Sequence, residues 1–245
     1  MASHGCLILH GWTANRNHVI ALAPHLEHME IPYRIPLLRG HGTQPEDLYG
    51  VTWKDWYADV ERAFDELLQE VDKVIVVGHS MGGLLALLLA ARQPERIDAV
   101  VSVATALRVT NPLFGLSPYL ARFYRKYKRK IQPAYSSSDR ASSDSTYTWV
   151  PSSAIAELCR LTRVVEPELP KVRAPLLLIH SLADRVVSAE TVEVIYRHVS
   201  SEEKRLVWFQ RSGHEMFLDC EADAVVGAIC EFIASKRQEQ PRPVV

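Results

Sequence analysis

The sequence predicts an α/β fold: a mostly parallel sheet of about six strands, helices on both of its faces, and a small cap insertion. Three observations carry this. Short apolar runs alternate along the chain with helical patterns. The runs are apolar throughout rather than at every second residue, which marks strands buried on both faces, as in parallel sheets. One interval, 108–167, breaks the alternation.

In chain order, strands are predicted at Cys6–His10, Tyr33–Leu38, Lys73–Gly78, Asp98–Ala104, Pro175–His180 and Lys204–Phe209, each rich in Leu or β-branched residues. Helical patterns between them cover 17–28, 52–70, 81–92, 188–199 and 221–235. The second has a start signal: Thr52 stands at the cap, and Asp55 three residues on approximates a capping box. Leu84–Ala91, the longest apolar run, reads as a buried helix and falls well short of the roughly 20 apolar residues that cross a bilayer. The interval 108–167 holds Pro112, Pro118, Pro133, Pro151, the polar run Ser136–Ser145 and scattered aromatic residues. Such a composition does not suit a core strand or layer helix, so the interval is expected to lie over the sheet's carboxyl edge as a cap or lid. The core then comprises 1–107 and 168–235, and the proline-bearing tail 236–245 is expected to fray.

With 245 residues, 47 % apolar and 23 % charged, the chain is long enough for one α/β domain with a full core. A formal net charge of -1 argues against a polyanion-binding protein as a whole, and no nucleic-acid fold signature is present. The opening residues run directly into an apolar stretch too short for a signal-peptide core, with no basic residue before it. Cys6, Cys159, Cys220 and Cys230 show no paired metal spacing and read as free thiols in a reducing compartment. A cytoplasmic protein without stable membrane insertion is the expectation.

Chemistry concentrates at Gly78-His79-Ser80-Met81-Gly82-Gly83, between the strand Val74–Val77 and a helical run. This is the G-x-S-x-G elbow in the strand–turn–helix context it demands. The tight turn strains the serine backbone, and residues two before and two after must be small. A serine hydroxyl needs a base to take its proton. In this arrangement acid and histidine follow the serine in that order. Asp184, just past the strand that ends at His180, and His214, in the loop Gln210–His214, stand where the order requires them. Two backbone donors should hold the oxyanion: the N–H of Met81, and that of Trp12, in a loop that Gly11 lets turn close over the serine.

The chain resembles the bacterial carboxylesterase and monoacylglycerol lipase group of α/β hydrolases, small thermophilic-bacillus carboxylesterases among them. The resemblance lies in His10 to Asn15, Gly40-His41-Gly42, Trp53-Lys54-Asp55-Trp56, Gly78 to Gly83, Asp184, and Trp208 through Ser212-Gly213-His214 to Asp219. It extends over most of 5–235 and is weakest in the cap. It implies the α/β-hydrolase fold, Ser80, Asp184 and His214 as triad, Trp12 and Met81 as oxyanion donors, and short-to-medium acyl esters as small-molecule substrates. No metal or organic cofactor is implied. One departure is expected: the chain begins almost at the first parallel strand, so the amino-terminal antiparallel strands common in the fold are missing or vestigial.

Other features are read more plainly. Arg122–Lys130 carries six basic residues in nine, interleaved with Phe123, Tyr124 and Tyr127. Anionic substrates, anionic lipid and nucleic acid would each suit it. The favoured reading is an amphipathic cap helix with a solvated basic face and its aromatics turned to the pocket. Leu113, Phe114, Leu116, Tyr119 and Trp149 are candidates for an acyl channel. His41 and His79 read as structural, and Asp219 as a substitute acid should Asp184 lie elsewhere. Other chemistry on the same scaffold (C–C bond, thioester or amide hydrolysis) is the neighbouring alternative. A ligand receptor that is acylated without turnover is the alternative outside enzymes. Ser80 excludes branches that use an aspartate there.

Overall fold

The computed structural model describes residues 2–128, 134–137 and 147–238. Six strands form one sheet: β1 Ala2–Leu9, β2 Tyr33–Arg34, β3 Val71–His79, β4 Ile97–Val103, β7 Leu176–Ser181 and β8 Lys204–Phe209, ordered β2-β1-β3-β4-β7-β8. Every neighbouring pair is parallel. Its register is what assembles the site. Leu9 pairs with Gly78, His79 with Val103, Val103 with Ile179 and Ser181 with Phe209. The carboxyl ends of five strands therefore line up, and the loops leaving them meet along one edge.

The central strands are largely apolar because both faces are covered, whereas the edge strands β2 and β8 are mostly half-buried or exposed. Leu7, Leu9, Val74 and Val76 pack with α2 (Trp53–Leu67), α3 (Met81–Arg92) and a later helix. Their alternates Cys6, Ile8, Ile75 and Val77 pack with α1 (Ala23–His28) and a carboxyl-terminal helix. The capping box of α2 is formed: the Thr52 N–H donates to Asp55 Oδ2 at 2.9 Å and the Thr52 hydroxyl does so at 2.7 Å. Every residue of α3 except Arg92 is buried, as its run of Leu and Ala implies.

The first helical pattern, 17–28, is realised as two 3-10 turns, Arg16–His18 and Ile20–Leu22, followed by α1. Pro24 sits in the first turn of α1, where its missing N–H costs nothing. The strand expected over Tyr33–Leu38 stops at Arg34. Pro36 cannot donate to a ladder, and the stretch leaves the sheet ahead of it.

The interval that breaks the alternation contains a 3-10 turn at Phe114–Leu116, α4 (Ser117–Leu120), an antiparallel pair of β5 (Lys126–Lys128) with β6 (Trp149–Pro151), and α5 (Ser152–Val165). Two expectations change here. The basic segment is a strand at Lys126–Lys128, not an amphipathic helix: its alternating Tyr127 suits pairing with Val150, and Lys126 Nζ lies 4.1 Å from the Trp149 ring centroid. The interval also holds a layer helix. Pro151 caps α5 rather than breaking it, and Ala154, Leu158, Leu161 and Val165, at helical spacing, join the core beside α3. Pro133, Arg129, Lys130 and Ser138–Ser145 lie outside the described residues.

The chain closes with α6 (Glu190–His198) and α7 (Ala222–Gln238) on opposite faces of the sheet. α7 continues into the stretch expected to fray, whose residues 239–245 lie outside the description. Among the described residues no helix is long and apolar enough to cross a membrane.

Candidate active site

Ser80 occupies the turn from β3 into α3 with φ 54° and ψ -114°, a conformation unfavourable for any residue with a Cβ. Close packing enforces it. A Cβ on Gly78 would stand 2.2 Å from the Gly82 carbonyl oxygen, and one on Gly82 would stand 2.2 Å from that of Leu9. The turn is tied down by the Ser80 N–H donating to Val103 O at 2.9 Å and the Ala106 N–H donating to Ser80 O at 3.2 Å.

The structure brings Ser80, His214 and Asp184 together. His214 Nε2 lies 2.8 Å from Ser80 Oγ, and His214 Nδ1 lies 2.8 Å from Asp184 Oδ2. Since a carboxylate only accepts, Nδ1 carries the proton and Nε2 faces the hydroxyl as acceptor. The Asp184 side chain is fully buried, and its other oxygen accepts the N–H groups of Val186 at 2.8 Å and Val187 at 2.9 Å. Burial pushes this carboxyl up, but His214 and the Val187 N–H outweigh it and hold the group below the usual carboxylate range.

Several residues position His214. Asp219 accepts the Gly213 N–H at 2.7 Å, the Ser136 N–H at 2.6 Å and the Cys220 N–H at 2.8 Å. Its carboxylate therefore shapes the histidine loop, whereas the carboxylate hydrogen-bonded to His214 Nδ1 is that of Asp184. Gly213 passes so near Ala134 that a Cβ would stand 2.6 Å from its carbonyl oxygen. His79 Nε2 donates to the His214 carbonyl at 2.8 Å, a contact that holds the backbone of the histidine loop. Glu221 accepts the N–H groups of Arg211 and Ser212. Sequence reasoning passed over Glu221 and over Glu215, whose side chain is 4 % exposed and which lines the cavity below.

On the other side of Ser80, the loop after β1 turns at Thr13, φ 60°. A Cβ on Gly11 would stand 3.3 Å from that of Ser80, so the loop backbone reaches Ser80. Neither the Trp12 nor the Met81 N–H makes a hydrogen bond with the described residues. His10 supports this loop: its Nδ1 donates to Gly11 O at 2.9 Å and its Nε2 accepts the Leu38 N–H at 3.2 Å, a pattern only a neutral imidazole can make. Burial lowers its pKa to about 3. His41 donates from Nδ1 to Arg39 O at 3.0 Å and packs against Trp56; burial lowers its pKa to about 4.

Ser80 and His214 open into a cavity of about 500 Å³ lined chiefly by Trp12, Val109, Phe114, Ile155 and Leu158. Of the channel candidates, Leu113 and Phe114 line it, whereas Leu116 and Tyr119 face solvent and Trp149 packs on Lys126.

Residues 2–221 match the family model described as serine aminopeptidase, S33. A thermostable monoacylglycerol lipase from Bacillus sp. (strain H-257) is 29 % identical over 230 residues, 94 % of this chain and 90 % of that protein. A carboxylesterase from Bacillus subtilis (strain 168) is 27 % identical over 231 residues, 93 % of this chain and 91 % of that one. A solved structure from work on the metagenome-derived lipolytic enzymes LipS and LipT superposes with a TM-score of 0.89 at 29 % identity, covering 96 % of this chain and 94 % of that one. The parallel sheet, its elbow and a match running nearly from end to end agree, and the chain belongs to the serine aminopeptidase S33 family of α/β hydrolases.

Proposed function

We propose that the protein is a serine carboxylesterase that hydrolyses esters of short-to-medium acyl chains, monoacylglycerols among them. The observation that carries this reading is the hydrogen-bonded line Ser80–His214–Asp184 opening onto an apolar cavity. The cavity's lining suits a hydrocarbon chain, and its volume of about 500 Å³ suits a chain of modest length. The names of the two Bacillus relatives point the same way.

In the proposed mechanism His214 Nε2 takes the Ser80 proton as Oγ attacks the ester carbonyl. The oxyanion that forms is held by the N–H groups of Trp12 and Met81, each expected to contribute roughly 10²–10³ in rate. Asp184 fixes the tautomer of His214 and stabilises its imidazolium. The imidazolium then protonates the leaving alcohol as the C–O bond breaks, leaving an acyl-Ser80 ester. Water, deprotonated by His214, attacks this ester and releases the carboxylic acid, and the proton returns to Ser80. The described residues ahead of α5 in the interval 108–167 act as the cap, with Val109, Leu113, Phe114 and Tyr124 lining the cavity. Free thiols at Cys6, Cys159, Cys220 and Cys230 support a cytoplasmic location.

The test is a series of p-nitrophenyl esters from acetate to palmitate, assayed with the intact chain, Ser80→Ala and His214→Ala. Turnover peaking at short or medium chains and lost in both variants is the expected result. A stoichiometric burst without turnover would instead indicate a receptor. Silence on every ester, with Ser80 still labelled by a fluorophosphonate, would move the assignment to thioester, amide or C–C substrates.

A further inference from the structure

Between Val109 and Lys128 the sequence holds four basic residues, Arg122, Arg125, Lys126 and Lys128, and no acidic one. The aromatics among them do not all turn inward. Phe123 is 80 % exposed and Tyr119 63 %, and Leu113, Leu116 and Tyr124 are also more than half exposed among the described residues. Large apolar side chains clustered in water are uncommon on a protein without a partner for them. Leu113, Tyr124, Lys126 and Tyr127 belong at once to this surface and to the lining of the cavity that reaches Ser80. The patch is therefore the rim of the cavity mouth.

We infer that this rim is a docking surface for an anionic lipid layer, into whose interface Phe123 and Tyr119 insert while Arg122, Arg125 and Lys128 pair with acidic headgroups. Aromatic and basic residues interleaved on one face are the combination that seats a protein at such an interface. The chain as a whole carries a net charge of -1, so the attraction is local and orients the molecule with its cavity toward the lipid. Continuity with an apolar cavity favours lipid over nucleic acid, since an acyl chain then passes from layer to cavity without crossing water. The inference extends the esterase reading, so binding and turnover are measured separately.

The experiment is flotation of the full chain with vesicles of phosphatidylcholine alone or with about 30 % phosphatidylglycerol. Alongside it run Phe123→Ser and the double variant Arg122→Glu, Arg125→Glu, all substituted at positions outside the cavity lining. Binding is expected to the anionic vesicles only, and to weaken strongly in roughly 0.5 M salt. The charge reversals should cut partitioning by roughly 100-fold, and Phe123→Ser by about 10-fold or more. Both variants should hydrolyse a water-soluble ester at the intact rate, which shows that they are folded. No binding, equal binding to both vesicle types, or unchanged binding of both variants would overturn the inference. So would single-stranded oligonucleotide binding that depends on Arg122 and Arg125 while vesicles are ignored. Failure of the soluble ester assay in the intact chain would count against the esterase reading alone.

Discussion

His214 touches its two partners at 2.8 Å each, and its own placement is inherited from a loop held by other residues. Asp184→Asn keeps the size of the acid but lets the side chain donate, so the imidazole can settle in the wrong tautomer. Turnover is expected to fall by about 10³–10⁴ with the unfolding midpoint little changed; steady-state kinetics and thermal denaturation together check this. Asp219 makes a different prediction. Its carboxylate gathers donors from Ser136, Gly213 and Cys220, and Asp219→Ala would release the histidine loop. A kcat lowered by on the order of 10² with KM nearly constant is expected, with slower fluorophosphonate labelling of Ser80. Equal rates in variant and parent would show that Gly213 and His79 suffice. At this scale the sequence reveals motif residues, because an elbow needs glycines at fixed spacing and a triad has a fixed order. It hides residues that act through backbone contacts. Asp219 and Glu221 are recognisable only once a loop conformation brings distant N–H groups to their carboxylates.

Elements show where local signals suffice and where packing decides. The elbow is the most constrained junction, and Gly78→Ala should not fit: its methyl would meet the Gly82 carbonyl at 2.2 Å. A loss of at least about 3 kcal/mol in denaturant unfolding is expected. Gly227, within α7, is the contrast, because a Cβ there meets nothing within 4 Å. Gly227→Ala should stabilise the protein by about 0.5–1 kcal/mol through helix propensity and a restricted unfolded chain, and the same denaturant titration reads it. Helix α2 and strands β3, β4, β7 and β8 are legible because their periodicity and caps are local properties. The 152–165 helix was obscured by the prolines around it, since Pro151 in front of a helix and a proline breaking one look alike in composition. The basic segment failed as a helix for a related reason. Its alternating Lys-Tyr-Lys fits a strand, but the partner, Trp149–Pro151, lies some twenty residues away in sequence and gives no local sign.

Across the whole molecule, burial of histidines sets a pH response. His10, His41, His79 and His180 are all buried, and burial is the main cause holding each below its ordinary pKa of 6.5. The unfolded chain therefore takes up protons before the folded one does. The stability these residues contribute is complete above about pH 6.5 and declines as pH falls below it, on through about 4 for His41 and about 3 for His10. The depressed carboxyls of Asp184, Glu203 and Glu221 act later, their contribution being lost as pH falls through the ordinary carboxylate range and on below it. Thermal midpoints measured from pH 7.5 to 4.5 should fall already between 6.5 and 5. A flat profile across that span would mean that these imidazoles are not kept neutral by the fold. The fold itself was legible at this scale, since the apolar central strands β1, β3, β4 and β7 demand cover on both faces. Which loops meet over Ser80 followed only from sheet order and register.

The core membership of α5 divides the molecule in a way that bears on its capacity to diversify. Ser80, Asp184 and His214 hang from β3 and from the loops after β7 and β8, whereas the segment up to β6 builds much of the cavity wall. Tyr147 marks the boundary, its hydroxyl donating to Gly40 O and accepting the Thr43 N–H. Exchange of residues 111–128 is expected to change selectivity while the fold and the Ser136–Asp219 contact persist, but an exchange reaching into Leu158, Leu161 and Val165 strips the cover from α3. A chimera that exchanges 111–128 should fold and keep a fluorophosphonate-reactive Ser80; one that exchanges 111–167 should not.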